Sequence, residues 1–299
     1  MTSSVINFDK KYPLVSIVMP TLNQLRFIRK SIHSVLSQDY NFIELIVFDA
    51  GSTDGTLDFL NEISKTDRRL KWKSEPDFGP ADALNKAFKI CRGEIIGWLN
   101  SDDLYAPGAV NRAVTEFKSH PDWIMLYGHA EHIDVDGHLI DFYKTKEPNE
   151  RPLKEFADGC FICQPTVFFK STFLILQGKL NVNLKTAFDF DYWIRAFRSF
   201  PNRIGFVDHV QAQSRLHKDC ITFSQRKLVF IESMGLIVKY IGDPPVHWLI
   251  TYVDELHKGR SLLSLGELKS ELIGILNAIS PQPSHTGIQK FMQLINQLK

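Results

Sequence analysis

Short apolar runs and amphipathic stretches alternate along the first hundred residues. Val15 to Met19 is a compact run of strand type. Phe27, Ile28, Ser31, Ile32, Val35 and Leu36 then recur at helical spacing. Glu44 to Phe48, rich in Ile and Val, predicts a second strand. Leu57, Leu60 and Ile63 mark a second helix, with Ser52 or Asp54 as its cap. Leu70 to Ser74 predicts a weaker third strand. Ala81 to Cys91 predicts a helix with Ala83, Leu84, Ala87 and Phe88 on one side, and Ile95 to Leu99 a fourth strand. Strands alternating with helices imply an α/β fold with a mostly parallel central sheet flanked by helices.

From Tyr127 the pattern changes. Asp136-Gly137 is a hairpin signal between two alternating stretches. A loop-rich stretch with Pro148 and Pro152 follows, then an apolar segment from Phe161 to Phe169 interrupted by Gln164 and Pro165. Phe188 to Phe197 reads as a helix. After Ile221 the chain reads as helical to its end, broken at Gly242-Asp243-Pro244-Pro245 and at Pro281-Gln282-Pro283. The expected division is therefore a catalytic domain over 12–220 and a helical C-terminal extension over 221–299. Leu228, Ile231, Leu236, Val238 and Ile241 give that extension an apolar face to pack on the catalytic domain or on a second subunit. Packing is favoured over a membrane-surface helix, for which Glu232 and Lys239 are weak support.

In open parallel sheets the ligand sits beyond the carboxyl ends of the strands. Polar groups collect there in this sequence. Pro20, Thr21, Leu22 and Asn23 follow the first strand, Asp49-Ala-Gly the second, and Asn100-Ser101-Asp102-Asp103 the fourth. Two adjacent carboxylates repel each other, and Mg²⁺ or Mn²⁺ relieves that repulsion. A helix cap explains such a pair equally well. The glycines and small residues from Asp49 to Gly55 let backbone approach a ligand, whereas capping accounts for Asp54 better than for Asp49. No G-x-G-x-x-G follows the first strand and no Walker A motif occurs. Asp189 and Asp191 open a helical pattern. Acids suit a first turn, and a carboxylate against a pocket also serves as a general base. His217 reads on its own as a structural histidine. His129, Glu131, His132, Asp134 and Asp136 resemble a metal cluster, but strand alternation splits them between two faces, which favours a polar hairpin.

Composition narrows the classes. The chain has 299 residues, 44% hydrophobic and 23% charged, an ordinary globular profile able to bury a large core. Net charge is +1, with 35 basic and 34 acidic residues, so no nucleic-acid footprint is expected. No run reaches bilayer length. Met1 to Tyr12 lacks an apolar signal core and no N-x-[ST] site occurs, giving an expected cytoplasmic location with room for peripheral association at an inner membrane face. Cys160 and Cys163 form a C-x-x-C without a second ligand pair, which favours unbridged thiols in a half-buried segment.

Taken in order, these segments resemble the family 2 glycosyltransferases. The resemblance runs from about Leu14 to His217, roughly two-thirds of the chain. It rests on Val18-Met-Pro-Thr-Leu-Asn23, Glu44-Leu-Ile-Val-Phe-Asp49 with Gly51-Ser-Thr-Asp54-Gly55, and Asp82-Ala-Leu-Asn85-Lys86-Ala87. Gly93-Glu-Ile-Ile-Gly-Trp-Leu-Asn-Ser-Asp102-Asp103 and Asp189-Phe-Asp-Tyr-Trp-Ile-Arg195 complete it. Each motif is weak alone; their order and spacing carry the likeness.

The resemblance implies the Rossmann-like fold called GT-A, and a single-sugar transfer from a nucleoside-diphosphate sugar, UDP- or dTDP-linked, to a hydroxyl of a glycan or lipid-linked acceptor. It implies donor contacts from Pro20, Thr21, Asn23, Asp49, Asp82, Asn85, Asn100 and Asp102, with Asp102 on the ribose or assisting the metal. Asp103, with His217, would hold Mn²⁺ or Mg²⁺, and Asp189 would be the base of an inverting displacement. One departure stands out: Phe188 precedes Asp189 where relatives carry Glu. The Q-x-x-R-W signature of processive members is absent. Two other readings stay open, a donor-binding protein with degenerate catalysis and a sugar-phosphate nucleotidyltransferase. A homodimer through the C-terminal helices also stays open.

Overall fold

The computed structural model describes residues 12–148, 152–258 and 263–298. The polar stretch before Tyr12, read above for a leader signal, lies outside them. Nine strands form one sheet: β1 (Val15–Thr21), β2 (Ile43–Asp49), β3 (Leu70–Ser74), β4 (Ile95–Trp98), β5 (Leu104–Tyr105), β6 (Met125–Ile133), β7 (Leu139–Phe142), β8 (Phe168–Lys170) and β9 (Ile204–Arg215). The helices are α1 (Leu25–Leu36), α2 (Thr56–Thr66), α3 (Pro80–Phe88), α4 (Ala109–Ser119), α5 (Pro152–Glu155), α6 (Ser171–Gln177) and α7 (Phe188–Ser199). They continue with α8 (Ile221–Ser224), α9 (Arg226–Tyr240), α10 (His247–Lys258), α11 (Leu265–Ala278) and α12 (His285–Gln297).

Strand order is β3-β2-β1-β4-β8-β6-β9-β5, with β7 on β6. The long ladders are parallel, β1 with β2 and β4, β2 with β3, and β6 with β9. The short ones, through β8, β5 and β7, are antiparallel. The register sets Thr21 beside Asp49 and Asp49 beside Ser74, so the ends of β1, β2 and β3 form one edge.

Alternation along the strands sends Val18, Ile46 and Trp98 into one core and Ile17, Met19, Leu45 and Val47 into the other. The α1 residues Phe27, Ile28, Ile32 and Val35 are buried as their spacing predicts. A third apolar cluster belongs to α9–α12, including Phe230, Leu249, Leu272 and Phe291. Helix α9 straddles the division: Phe230 and Met234 join that cluster, whereas Leu236 and Ile237 join the core of the first sheet face. Both expected breaks in the tail are present. A further one precedes α11, where Ser264 and Glu267 form a capping box.

Strand β9 fills a stretch, 204–215, to which the sequence pattern assigned no element. Its sequence, IGFVDHVQAQSR, lacks an apolar alternation because its polar side chains find partners inside the fold. Gln211 is fully buried; it accepts from Arg112 Nε at 2.7 Å and donates to the Ala109 carbonyl at 3.2 Å. Gln213 donates to Glu131 at 2.7 Å.

Candidate active site

The ends of β1 and β2 are stitched together by short side chains. Asn23 adopts φ +52°, a left-handed conformation that asparagine tolerates. Its backbone N–H donates to Ser52 Oγ at 2.7 Å, and its Oδ1 accepts from Thr53 N at 2.8 Å. Buried Asp49 binds its own loop. Oδ2 accepts from Gly51 N at 2.8 Å, Ser52 N at 3.0 Å and Ser74 Oγ at 2.7 Å, and Oδ1 accepts from Ser52 Oγ. Asp54 accepts from Leu25 N at 2.9 Å and Thr56 N at 3.0 Å, tying α1 to the start of α2. Pro20 and Thr21 are buried at the same edge, and no partner is found for Thr21 Oγ1 among the described residues.

After β4 the chain enters a polar network. Trp98 Nε1 donates to Asn100 Oδ1 at 3.0 Å, and Asn100 Nδ2 donates to Gln164 Oε1 at 2.9 Å and Asp103 Oδ2 at 3.3 Å. Gln164 Nε2 closes the loop on the Trp98 carbonyl at 2.8 Å. Asp103 is buried, and its Oδ1 accepts from Arg215 N at 2.8 Å. Burial, then the neighbouring Asp102, pushes the Asp103 carboxyl well above its ordinary range.

Asp102 faces the other way. Its Oδ2 stands 3.0 Å from His217 Nε2, and the imidazole rests on Phe27 with ring centroids 4.8 Å apart. The carboxylate that meets His217 is thus that of Asp102, while Asp103 turns into the protein. Arg215, 2% exposed, holds both acids in place. Its Nε donates to the Asp102 carbonyl at 2.9 Å, and its Nη1 to the Asp134 carbonyl at 2.7 Å.

Asp189 is the second residue of α7 and half-buried. Its Oδ1 accepts from Phe190 N at 2.7 Å. Burial pushes its carboxyl up to about 6, against the pull of backbone hydrogen bonds. Phe188, the departure noted above, is a core residue stacked on Trp98 at 5.6 Å. Cys160 and Cys163 are free thiols beside this site. Burial, then Asp189, raises the Cys160 thiol to about 12. The Cys163 thiol is raised by burial, then by Asp103, Cys160 and Asp189. This segment therefore lies within electrostatic reach of both Asp103 and Asp189. Asp191 is structural: it accepts from Arg195 Nε at 2.7 Å and Tyr240 Oη at 2.9 Å.

The two α3 residues lie apart from this network. Asp82 pairs with Lys86 at 3.1 Å and accepts from Phe78 N at 3.3 Å. Asn85 is buried and commits its amide to Leu180, donating to its carbonyl at 2.9 Å and accepting from its N–H at 3.0 Å. The hairpin residues find partners across strands: His129 with Asp208 at 3.0 Å and His132 with Asp141 at 2.6 Å. Asp134 accepts from the backbone of Asp136, Gly137 and His138, which closes the turn; its grouping with Asp136 and His138 is that of an exposed turn.

The profile described as glycosyl transferase family 2 matches residues 16–175. The chain belongs to this family. It is similar to a chondroitin synthase of Escherichia coli, 31% identical over 186 residues, which is 62% of this chain and 27% of that one. The chain thus spans about a quarter of that relative's length. Its fold is similar to that of TarS 1-349 from S. aureus, solved with UDP-GlcNAc (TM-score 0.61, 20% identity, 89% of this chain and 81% of that one). It is also similar to the mannosyltransferase PcManGT of Pyrobaculum calidifontis, solved with GDP-Man and Mn²⁺ (TM-score 0.59, 19% identity, 95% and 80%). These likenesses bear out the GT-A architecture. No helix among the described residues is long and apolar enough to cross a membrane.

In this family 2 domain the structure adds residues that the sequence motifs did not single out. Asp77 lies three residues past the end of β3, at the edge where Asp49 closes β2; its Oδ1 accepts from Gly79 N at 2.8 Å, and burial raises its carboxyl. Applying the strand-end rule to the third strand would have found it. Arg215 stands two residues before His217, where a strand of known extent would have pointed it inward. Gln164 carries no such signal.

Proposed function

We propose that the chain is a metal-assisted, inverting glycosyltransferase that moves one sugar from a nucleoside-diphosphate donor, UDP- or dTDP-linked, to a hydroxyl of a glycan or lipid-linked acceptor. The observation that carries this is the chain of contacts that joins two half-sites: Phe188, beside Asp189, stacks on Trp98, and Trp98 Nε1 donates to Asn100, which donates to Asp103. One half is Asp102 with His217, and the other is Asp189 with its raised proton affinity. Residues 12–220 form the catalytic part and 221–299 the helical extension.

The donor half fits a divalent cation. Asp102 Oδ2 and His217 Nε2, 3.0 Å apart, bring together an oxygen and a nitrogen donor that would serve a divalent cation. We assign the cation to this pair and give Asp103 the task of fixing the loop. Mn²⁺ or Mg²⁺ held there supplies Lewis-acid charge against the departing diphosphate. That PcManGT is solved in complex with GDP-Man and Mn²⁺ supports this reading. The nucleotide lies along the edge of Pro20, Thr21, Asn23, Asp49, Asp77, Asp82 and Asn100, and Asn85 acts there through Leu180 rather than by touch.

In the acceptor half, the hydroxyl oxygen attacks the anomeric carbon. The bond from that carbon to the diphosphate oxygen breaks, and its electron pair stays on the diphosphate. The hydroxyl proton passes to Asp189, whose carboxylate is basic enough to take it and ionised near neutral pH. Attack from the face opposite the leaving group inverts the anomeric centre.

The test is release of nucleoside diphosphate from UDP-GlcNAc, dTDP-glucose and GDP-mannose, with and without chelator. Release that depends on Mn²⁺ supports the proposal. Pyrophosphate release from a nucleoside triphosphate would favour a nucleotidyltransferase, and donor binding without release would favour a degenerate binder.

A further inference from the structure

The N-terminus of α7 has no side-chain cap from its own segment. The backbone that leads into it is held from the C-terminal helices instead. Glu232, on α9, accepts from Lys185 N at 2.8 Å through Oε1. Its Oε2 accepts from Thr186 N at 2.9 Å, Thr186 Oγ1 at 2.7 Å and Ala187 N at 2.9 Å. Ala187 is the N-cap residue of α7, and Asp189 follows two residues later on fixed helical backbone.

The same strap reaches the donor half. Lys185 Nζ donates to the Phe78 carbonyl at 3.0 Å, in the loop that carries Asp77 and leads into α3. Two more bonds tie the C-terminal helices to this region. Tyr240 Oη donates to Asp191 at 2.9 Å, and Trp248 Nε1, on α10, to the Ala157 carbonyl at 2.7 Å.

We propose that Glu232 is a positioning residue for Asp189, which makes the C-terminal helices a working part of the catalytic apparatus. The inference rests on the reading of Asp189 as the base.

A merely structural cap would steady α7 and do no more. Glu232 also brings a negative charge toward the base, and that charge adds to burial in raising the Asp189 carboxyl. Three titratable side chains that feel the Asp189 charge stay uncharged near neutral pH. Tyr143, which follows β7, and Cys160 and Cys163 are all held above their ordinary values, first by burial. Asp191, on the same helix, is neutralised by Arg195. Removing the Glu232 charge therefore lowers the proton affinity of Asp189 as well as loosening its backbone.

The experiment uses the full chain with saturating Mn²⁺ and whichever of UDP-GlcNAc, dTDP-glucose or GDP-mannose it hydrolyses fastest, followed by nucleoside diphosphate release across pH. Glu232→Gln is expected to lower kcat by about ten- to a hundredfold, with donor KM unchanged and the acid limb of kcat/KM moved to lower pH. An unmoved limb overturns the proposal. Thr186→Val deletes one donor and no charge, so it lowers kcat without moving the limb to lower pH; wild-type kcat in that variant also overturns it. Asp189→Asn separates the two readings. Full activity there removes the base itself. An inactive Asp189→Asn beside a Glu232→Gln with an unmoved limb sinks only the role given to Glu232.

Discussion

Asp189 combines two properties that a transferase base needs. It is buried enough to hold a proton near neutrality, and it sits on the first turn of a helix whose backbone is pinned from outside. An aspartate raised to about 6 is ionised above that pH and protonated below it. The base is active when ionised, so kcat/KM for the donor is expected to fall about tenfold per pH unit below that point and to level off above it. Asp189→Asn should cost about 10²–10⁴-fold in kcat while sparing donor binding; a near wild-type kcat would remove the assignment. The two adjacent acids make opposite forecasts. Asp102→Asn should raise the Mn²⁺ concentration for half-activation about tenfold or more, because its oxygen faces His217. Asp103→Asn keeps an oxygen for the Arg215 N–H and replaces a carboxyl whose charged form burial already disfavours, so Mn²⁺ dependence should move much less. The reverse ranking would restore Asp103 as the ligand. The sequence showed that two carboxylates stand after β4, and it could not show which one turns inward. That depends on where β9 ends, and the polar register of β9 gave no sign of a strand.

Among the elements, those with a clean apolar period were legible from spacing, and those that bury polar side chains were not. Helices α1, α2, α3 and α7 and strands β1 to β4 fall where apolar residues, aliphatic in some and aromatic or alanine in others, recur at helical or strand spacing. Strand β9 was missed because Gln211, Gln213 and Ser214 read as loop until their partners on α4 and β6 are known. Strand β2 shows the same physics with a charge. Its pattern placed Glu44 in a strand, but not on a buried face. There Ser16 Oγ donates to Oε1 at 2.6 Å, Arg92 N at 2.8 Å, and Arg92 Nη2 to Oε2 at 2.8 Å. Burial pushes this carboxyl up, yet these bonds and Lys71 hold it below its ordinary 4.5. A lowered carboxyl contributes stability above the unfolded value, and that contribution is lost as pH falls through the folded value. Wild-type protein should therefore lose melting temperature as pH drops below 4.5. Glu44→Gln should lose about 1.5–3 kcal/mol at pH 7 and show a flatter acid profile. A melting curve for the variant that tracks wild type across pH would show that Glu44 contributes nothing there.

At the scale of the molecule, the question is whether the C-terminal helices and the catalytic part behave as one body. Helix α9 belongs to both: Leu236 and Ile237 pack into the core beneath α7, and Phe230 and Met234 into the cluster of α10–α12. Gly235 lies between these two sets, one helical turn from Glu232. A Cβ added at Gly235 would stand 2.5 Å from the Ser280 carbonyl oxygen, a backbone atom after α11 that has no side chain to swing aside. Gly235→Ala must therefore push α9 away from the α11–α12 connection. Overpacking of this kind costs about 1–3 kcal/mol, and each kcal/mol lowers the melting temperature by about 2–4 °C in a chain of comparable size. If α9 transmits position to Asp189, the same substitution lowers kcat with donor KM unchanged. If the extension is only an appendage, the clash is absorbed within its own cluster. Gly235→Ala would then unfold the extension early in a separate transition while kcat stays at the wild-type value. Differential scanning calorimetry and steady-state kinetics on that one variant separate the outcomes. A single lowered transition with reduced kcat is the expected result, because Glu232 cannot follow a displaced α9 and still hold Lys185, Thr186 and Ala187.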